Sequence, residues 1–103
     1  MQNQQQMLRQ LETMQRKLEE AQARLGETTV EGTAGGGAIT VTMTGHHQVR
    51  AVKITKEAVD PEDVETLEDL IVSALNDATK KSQELQERVL GPIAGGAKIP
   101  GLF

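Results

Sequence analysis

The side chains of this sequence that could do chemistry are few: adjacent His46 and His47, three glycines at Gly35 to Gly37, and charged residues along two polar stretches. Neighbouring histidines do not converge on one metal unaided. With no cysteine and no further histidine, the three or four ligands of a zinc site are missing. His46 and His47 are therefore expected to be exposed turn residues, and no metal or cofactor is expected. A glycine loop that cradles phosphate needs a helix N-terminus directly after it. Here the alternating run Ile39-Thr40-Val41-Thr42 follows, which is a strand pattern, so the glycines read as a hairpin connection. The carboxylates fall in surface patterns and no serine, histidine and acid set is signalled. An enzyme acting on a small-molecule substrate is not expected.

The remaining candidates are cations. Arg9, Arg16, Lys17 and Arg24 occupy two neighbouring heptad positions and form one stripe along the first polar stretch. Two readings of that stripe stand side by side. Glu12 precedes Arg16 and Glu20 precedes Arg24 by four residues, the spacing of helix-stabilising pairs worth a few tenths of a kcal/mol, and Asp77 with Lys81 and Glu84 with Arg88 repeat it. Alternatively the stripe tracks phosphates, and dimerisation doubles it. The formal net charge of −4 rules out a generic polycation, so nucleic-acid binding requires the cations to be sorted onto one surface.

These residues must be held by a small frame. The chain of 103 residues has the size of one domain. Leu, Ile, Val and Phe make up 24 of those residues, above the roughly 20% below which chains stay disordered, so it should fold. The one aromatic residue, Phe103, makes for a thin monomer core. Met7, Leu11, Met14, Leu18, Ala21 and Leu25 step by fours and threes, a heptad seam on a helix that Gly26 is expected to cap. Three strands follow, at about Glu27 to Thr33, Ile39 to Thr44 and Val49 to Thr55, in an antiparallel meander. Asp60-Pro61-Glu62-Asp63 then opens a long helix with Asp60 as its N-cap, and Gly91-Pro92 is expected to stop it. Residues 1–93 form the expected domain and 94–103 a flexible tail. No apolar run approaches a membrane span and no signal peptide is apparent, so no membrane is expected.

The fold class is α+β, in the order helix, three-stranded antiparallel sheet, long helix. A sheet about 20 Å long cannot shelter helices of roughly 30 and 40 Å. A second copy is the simplest cover for their apolar stripes, and a homodimer is expected.

In order and spacing, Met7-Leu8-Arg9-Gln10-Leu11, the glycine-marked segment Val30 to Gly37, the helical run Leu67 to Ala78 and the ending Ile99-Pro100-Gly101-Leu102-Phe103 resemble the YbaB/EbfC family of bacterial nucleoid-associated proteins. The resemblance covers most of the chain. It implies a cytoplasmic, nucleoid-bound, tweezer-like homodimer that binds double-stranded DNA and carries out no chemistry on it, with a regulatory or DNA-organising role. It also implies DNA contacts on the protruding helices, which by position are Arg9, Arg16, Lys17, Arg24, Lys80, Lys81 and Arg88. The alternative is a protein-interaction scaffold whose helical arms clamp a partner protein in a groove lined by Met and Leu.

Overall fold

A computed structural model describes residues 2–94. Helix α1 spans Gln2–Glu27, strands β1, β2 and β3 span Thr29–Ala34, Ile39–Thr44 and Val49–Ile54, and helix α2 spans Val64–Ala94. A single 3₁₀ turn, Lys56–Ala58, joins the sheet to α2. The sheet is an antiparallel meander in the order β1-β2-β3. The α+β order and the three strands expected from the sequence are all present.

Strand alternation sets the core. Ile39, Val41 and Met43 point to one face, opposite Ala34, Gly32 and Val30 of β1, and all three are buried. Helix α2 lies on that face over β1 and β2 and closes the core with Ala74 and Ala78. Its approach is close because β1 places a glycine beneath it: a Cβ on Gly32 would collide with Ala74 O and Ala78 N. The same face continues onto β3, where Ile54 lies opposite Ile39 and Val52 opposite Val41, and Val49 meets Met43 past a bulge at Thr42/Met43. Val49, Val52 and Ile54 remain 40 to 47% exposed there.

Three local differences from the expected boundaries have physical causes. The N-cap of α2 is Asp63, whose carboxylate accepts from Thr66 N–H at 3.3 Å and Thr66 Oγ1 at 2.7 Å. Asp60 instead accepts from Glu62 N–H and closes its own turn one step earlier. Gly91-Pro92 does not stop α2, which runs on to Ala94. Proline excludes the helical conformation of its predecessor partly through that residue's Cβ, which Gly91 lacks, and near a helix end one missing N–H costs little. Gly26 lies inside α1 rather than capping it, and the end of α1 is closed from another part of the chain, as described below. Of the expected tail, Ala94 closes α2 and residues 95–103 lie outside the described residues.

The described chain measures 74 × 25 × 16 Å. Its radius of gyration, 19.5 Å, exceeds the ~13 Å of a compact chain this long. The excess comes from a two-helix stalk. Beyond the sheet, α2 runs on beside α1 in the opposite direction, and Ala21, Leu25 and Leu85 are buried at the root.

Candidate nucleic-acid interface

The stalk gathers cations from both helices. Near its root, Lys17, Arg24 and Arg88 line a groove with Ala21, Val89, Pro92 and Ile93. Toward the tip the groove continues, with a volume of about 580 Å³, between Arg9, Gln10, Thr13, Met14 and Lys17 of α1 and Pro92 and Ile93 of α2. Antiparallel packing produces this arrangement, since it sets the end of α2 beside the middle of α1 and so brings Arg88 to Arg24 across 64 residues of chain. Glu20 is the acid that lines the groove among four cations. The floor is apolar and the rim carries flexible cationic heads, an arrangement in which long side chains lay their stems on apolar surface and hold their charges in water.

The other expected contact residues lie elsewhere. Arg16 is exposed on α1 but does not line the groove. Lys80 is exposed on α2, over the sheet region. Lys81 is tethered: its Nζ lies 3.2 Å from Asp77 and donates to the Glu31 carbonyl at 2.9 Å. Asp77 in turn accepts from Thr33 N–H at 2.9 Å. That N–H, followed by the Lys81 ammonium, holds the Asp77 carboxyl below the usual value of 3.8. Together Asp77 and Lys81 occupy the outer edge of β1, one on an N–H and the other on a carbonyl.

The acids are sorted in the opposite sense. Residues 57–69, around the start of α2, hold seven carboxylates and no base. They border the sheet end at Ala38 and Thr55, whereas the stalk leaves from the end at Gly45. Their excess of negative charge is larger than that of the whole chain, so the remainder of the chain is net positive, although Glu12, Glu19, Glu20 and Glu27 match the four cations of α1 in number. The sequence allowed for such sorting but could not display it, because it depends on which ends of the strands the two helices occupy.

The glycine run and the histidines adopt the expected turns. Gly35, Gly36 and Gly37 all have φ between 63 and 95°, which only glycine adopts without strain. His47 shares that left-handed conformation at φ 64°. His46 is exposed as expected, but its ring is engaged: Nε2 lies 2.9 Å from the Gln22 carbonyl, which only accepts, so Nε2 carries the hydrogen. Among the described residues no group of three or more His, Asp or Glu is placed to hold a metal, and no helix is long and apolar enough to cross a membrane.

These features define a class of small α+β protein in which a meander sheet carries a two-helix stalk with a cation-rimmed groove. The chain belongs to the YbaB/EbfC DNA-binding family, whose profile matches residues 1–97. It is 56% identical over 97 residues to a nucleoid-associated protein of Roseiflexus sp. (strain RS-1), covering 90% of this chain and 96% of that one. It is 50% identical over 101 residues to a nucleoid-associated protein of Chloroflexus aurantiacus (strain ATCC 29366 / DSM 635 / J-10-fl), covering 98% and 99% of the two chains. The crystal structure of an uncharacterized protein from Helicobacter pylori matches the fold with a TM-score of 0.72 at 24% identity, over 82% of this chain and 89% of that one.

Proposed function

We propose that the protein is a non-enzymatic, nucleoid-associated DNA-binding protein of the bacterial cytoplasm that grips double-stranded DNA as a homodimer through its basic stalk. The observation that carries this reading is the sorting of charge: Arg9, Lys17, Arg24 and Arg88 share one groove, while the acids of residues 57–69 stand at the far end of the sheet. Family membership and the naming of the relatives support it. Arg16 extends the contact on the outer side of α1, and Lys80 and Lys81 add weaker contacts lower on α2. Lys81 contributes least, because Asp77 and Glu31 already hold its ammonium.

The second copy covers what the monomer leaves bare. Met7, Leu8, Leu11, Met14 and Leu18 of α1 are 37 to 61% exposed, and Val49, Val52 and Ile54 form an apolar strip on β3. The two sheet edges are also unlike. The edge of β1 is occupied by Asp77 and Lys81, whereas no side chain among the described residues bonds to the outward backbone of β3. An open edge beside an apolar strip is where a sheet accepts a further strand. The interface therefore runs along β3, and the homodimer carries two stalks.

Fluorescence anisotropy on a DNA duplex across a salt series tests the reading. Log K should fall linearly with log salt. The combined variant Lys17→Glu, Arg24→Glu, Arg88→Glu should flatten that slope by roughly 0.9 for each phosphate that is no longer neutralised. A slope that ignores those three changes rejects the groove as the DNA-binding surface, and a wild-type chain that sediments as a monomer at micromolar concentration rejects the homodimer.

A further inference from the structure

Among the described residues helix α1 buries none before Ala21, so its direction is fixed at its last two turns. Those turns are held by the β2–β3 turn. Gly45 N–H donates to the Leu25 carbonyl at 2.9 Å, His46 Nε2 to the Gln22 carbonyl at 2.9 Å, and Arg50 Nη2 to the Gly26 carbonyl at 3.3 Å. Leu25 and Gly26 are among the last four carbonyls of α1, which lack partners within the helix, and Gln22 lies one turn earlier near the same negative end of the dipole, so a guanidinium and an imidazole are well-suited donors there. The same turn is bonded to α2. Ser82 Oγ donates to the Thr44 carbonyl at 2.8 Å, and Gln86 Nε2 donates to the Gly45 carbonyl at 2.6 Å. The turn and the strand residues flanking it, Thr44 and Arg50, thus hold the last turns of α1 to the middle of α2. The fit is tight: a Cβ on Gly45 would lie 2.7 Å from Leu25 Cδ2 and 2.8 Å from the Leu25 carbonyl.

The geometry points to the β2–β3 turn as a clamp that aims the α1 arm, with His46 and Arg50 as positioning residues for the basic groove. The width of that groove depends on the angle between α1 and α2, because Arg9 and Lys17 lie on one wall and Pro92 and Ile93 on the other. The root is the pivot. A small swing there moves Arg9, ten or more residues out along a helix rising about 1.5 Å per residue, by several ångströms. The side-chain bonds of His46 and Arg50 among the described residues go to the Gln22 and Gly26 carbonyls, not to a groove cation. Their effect on binding passes through the arm. The consequence for DNA affinity rests on the function proposed above, whereas the clamp itself does not.

The absence of cysteine makes the test direct. Spin labels at Gln6→Cys on α1 and Glu68→Cys on α2, in chains diluted with unlabelled protein before refolding, report the arm direction as a distance distribution. The variant H46A/R50A should keep its circular dichroism and melt cooperatively, yet show a broadened distribution. Its duplex affinity should fall by roughly threefold or more, as expected when the competent arrangement drops to about a third of molecules. His46→Gln, which restores an N–H donor, should recover most of both in the presence of Arg50. If the double variant fails to fold, His46→Ala alone carries the same readout. A folded variant with the wild-type narrow distribution overturns the clamp. A broadened distribution with undiminished affinity overturns the positioning role. Should the wild-type protein bind no duplex, the proposed function falls while the distance measurement still decides the clamp.

Discussion

The two helices of the stalk reach it by different means. Helix α2 is seated by packing: Ala74, Ala78 and Ser82 are fully buried, and the backbone rests on Gly32 with no side chain between. Helix α1 is seated by its end, through Ala21, Leu25 and the donors of the β2–β3 turn, and its residues 3–20 are exposed. Stability is therefore concentrated where α2 crosses the sheet. The arm that carries three of the four groove cations contributes little to it. A chain divided this way can vary the face of α1 with little effect on folding, and cannot vary the α2 seat at all.

Substitution at Gly32 should break the contrast most severely. Gly32→Val forces α2 off β1, an overpacking against backbone that has no flexible side chain to yield, and should cost about 4 kcal/mol or leave the chain unfolded in urea titrations. A smaller effect sharpens the comparison within α1. Leu25→Ala, at a fully buried root position, should cost about 2 to 4 kcal/mol. Leu11→Ala, on the same seam but 56% exposed, should leave the stability of the single protomer within about 0.5 kcal/mol. Equal losses at the two positions would show that α1 is supported along its length. The smallest effect belongs to Asp77. Its carboxyl is held low in the folded state, so it favours folding above the usual carboxylate value of 3.8, and this contribution is lost as pH falls through the lower folded value. Asp77→Asn should lower the midpoint of thermal melting slightly at pH 7, and the difference from wild type should vanish in acid. A difference that persists unchanged there would assign the effect to lost packing.

Much of this architecture was legible in the sequence, because it depends on periodicity. The alternation through Ile39, Val41 and Met43 identifies β2 and its buried face, and the four-three steps of Met7 to Leu25 identify α1. The misread boundaries are those decided by competition between neighbours, such as Asp60 against Asp63 for the cap of α2. What the sequence concealed is nonlocal. The role of Gly32 requires the strand register and the position of α2 above it. The engagement of His46 joins residues 24 positions apart, and nothing in the pair His46-His47 indicates that one ring is held and the other sits on a left-handed turn residue. The four cations of α1 were visible as a stripe, but Arg88 joins three of them, Arg9, Lys17 and Arg24, only once the helices run antiparallel.

The acidic pole alters how the molecule is felt at a distance. Across strands about 20 Å long, its charges lie more than two screening lengths from the root of the groove at physiological ionic strength, where that length is about 8 Å. A nearby polyanion then meets the stalk's own mixture of cations and glutamates rather than the acidic pole, and the net charge of −4 is a poor guide to that encounter. In dilute buffer, with a screening length near 30 Å, the repulsion spans the whole body and exerts a torque on it. The protein would swing its carboxylates outward before any contact forms, so that its orientation on approach is set by the end that never touches the ligand.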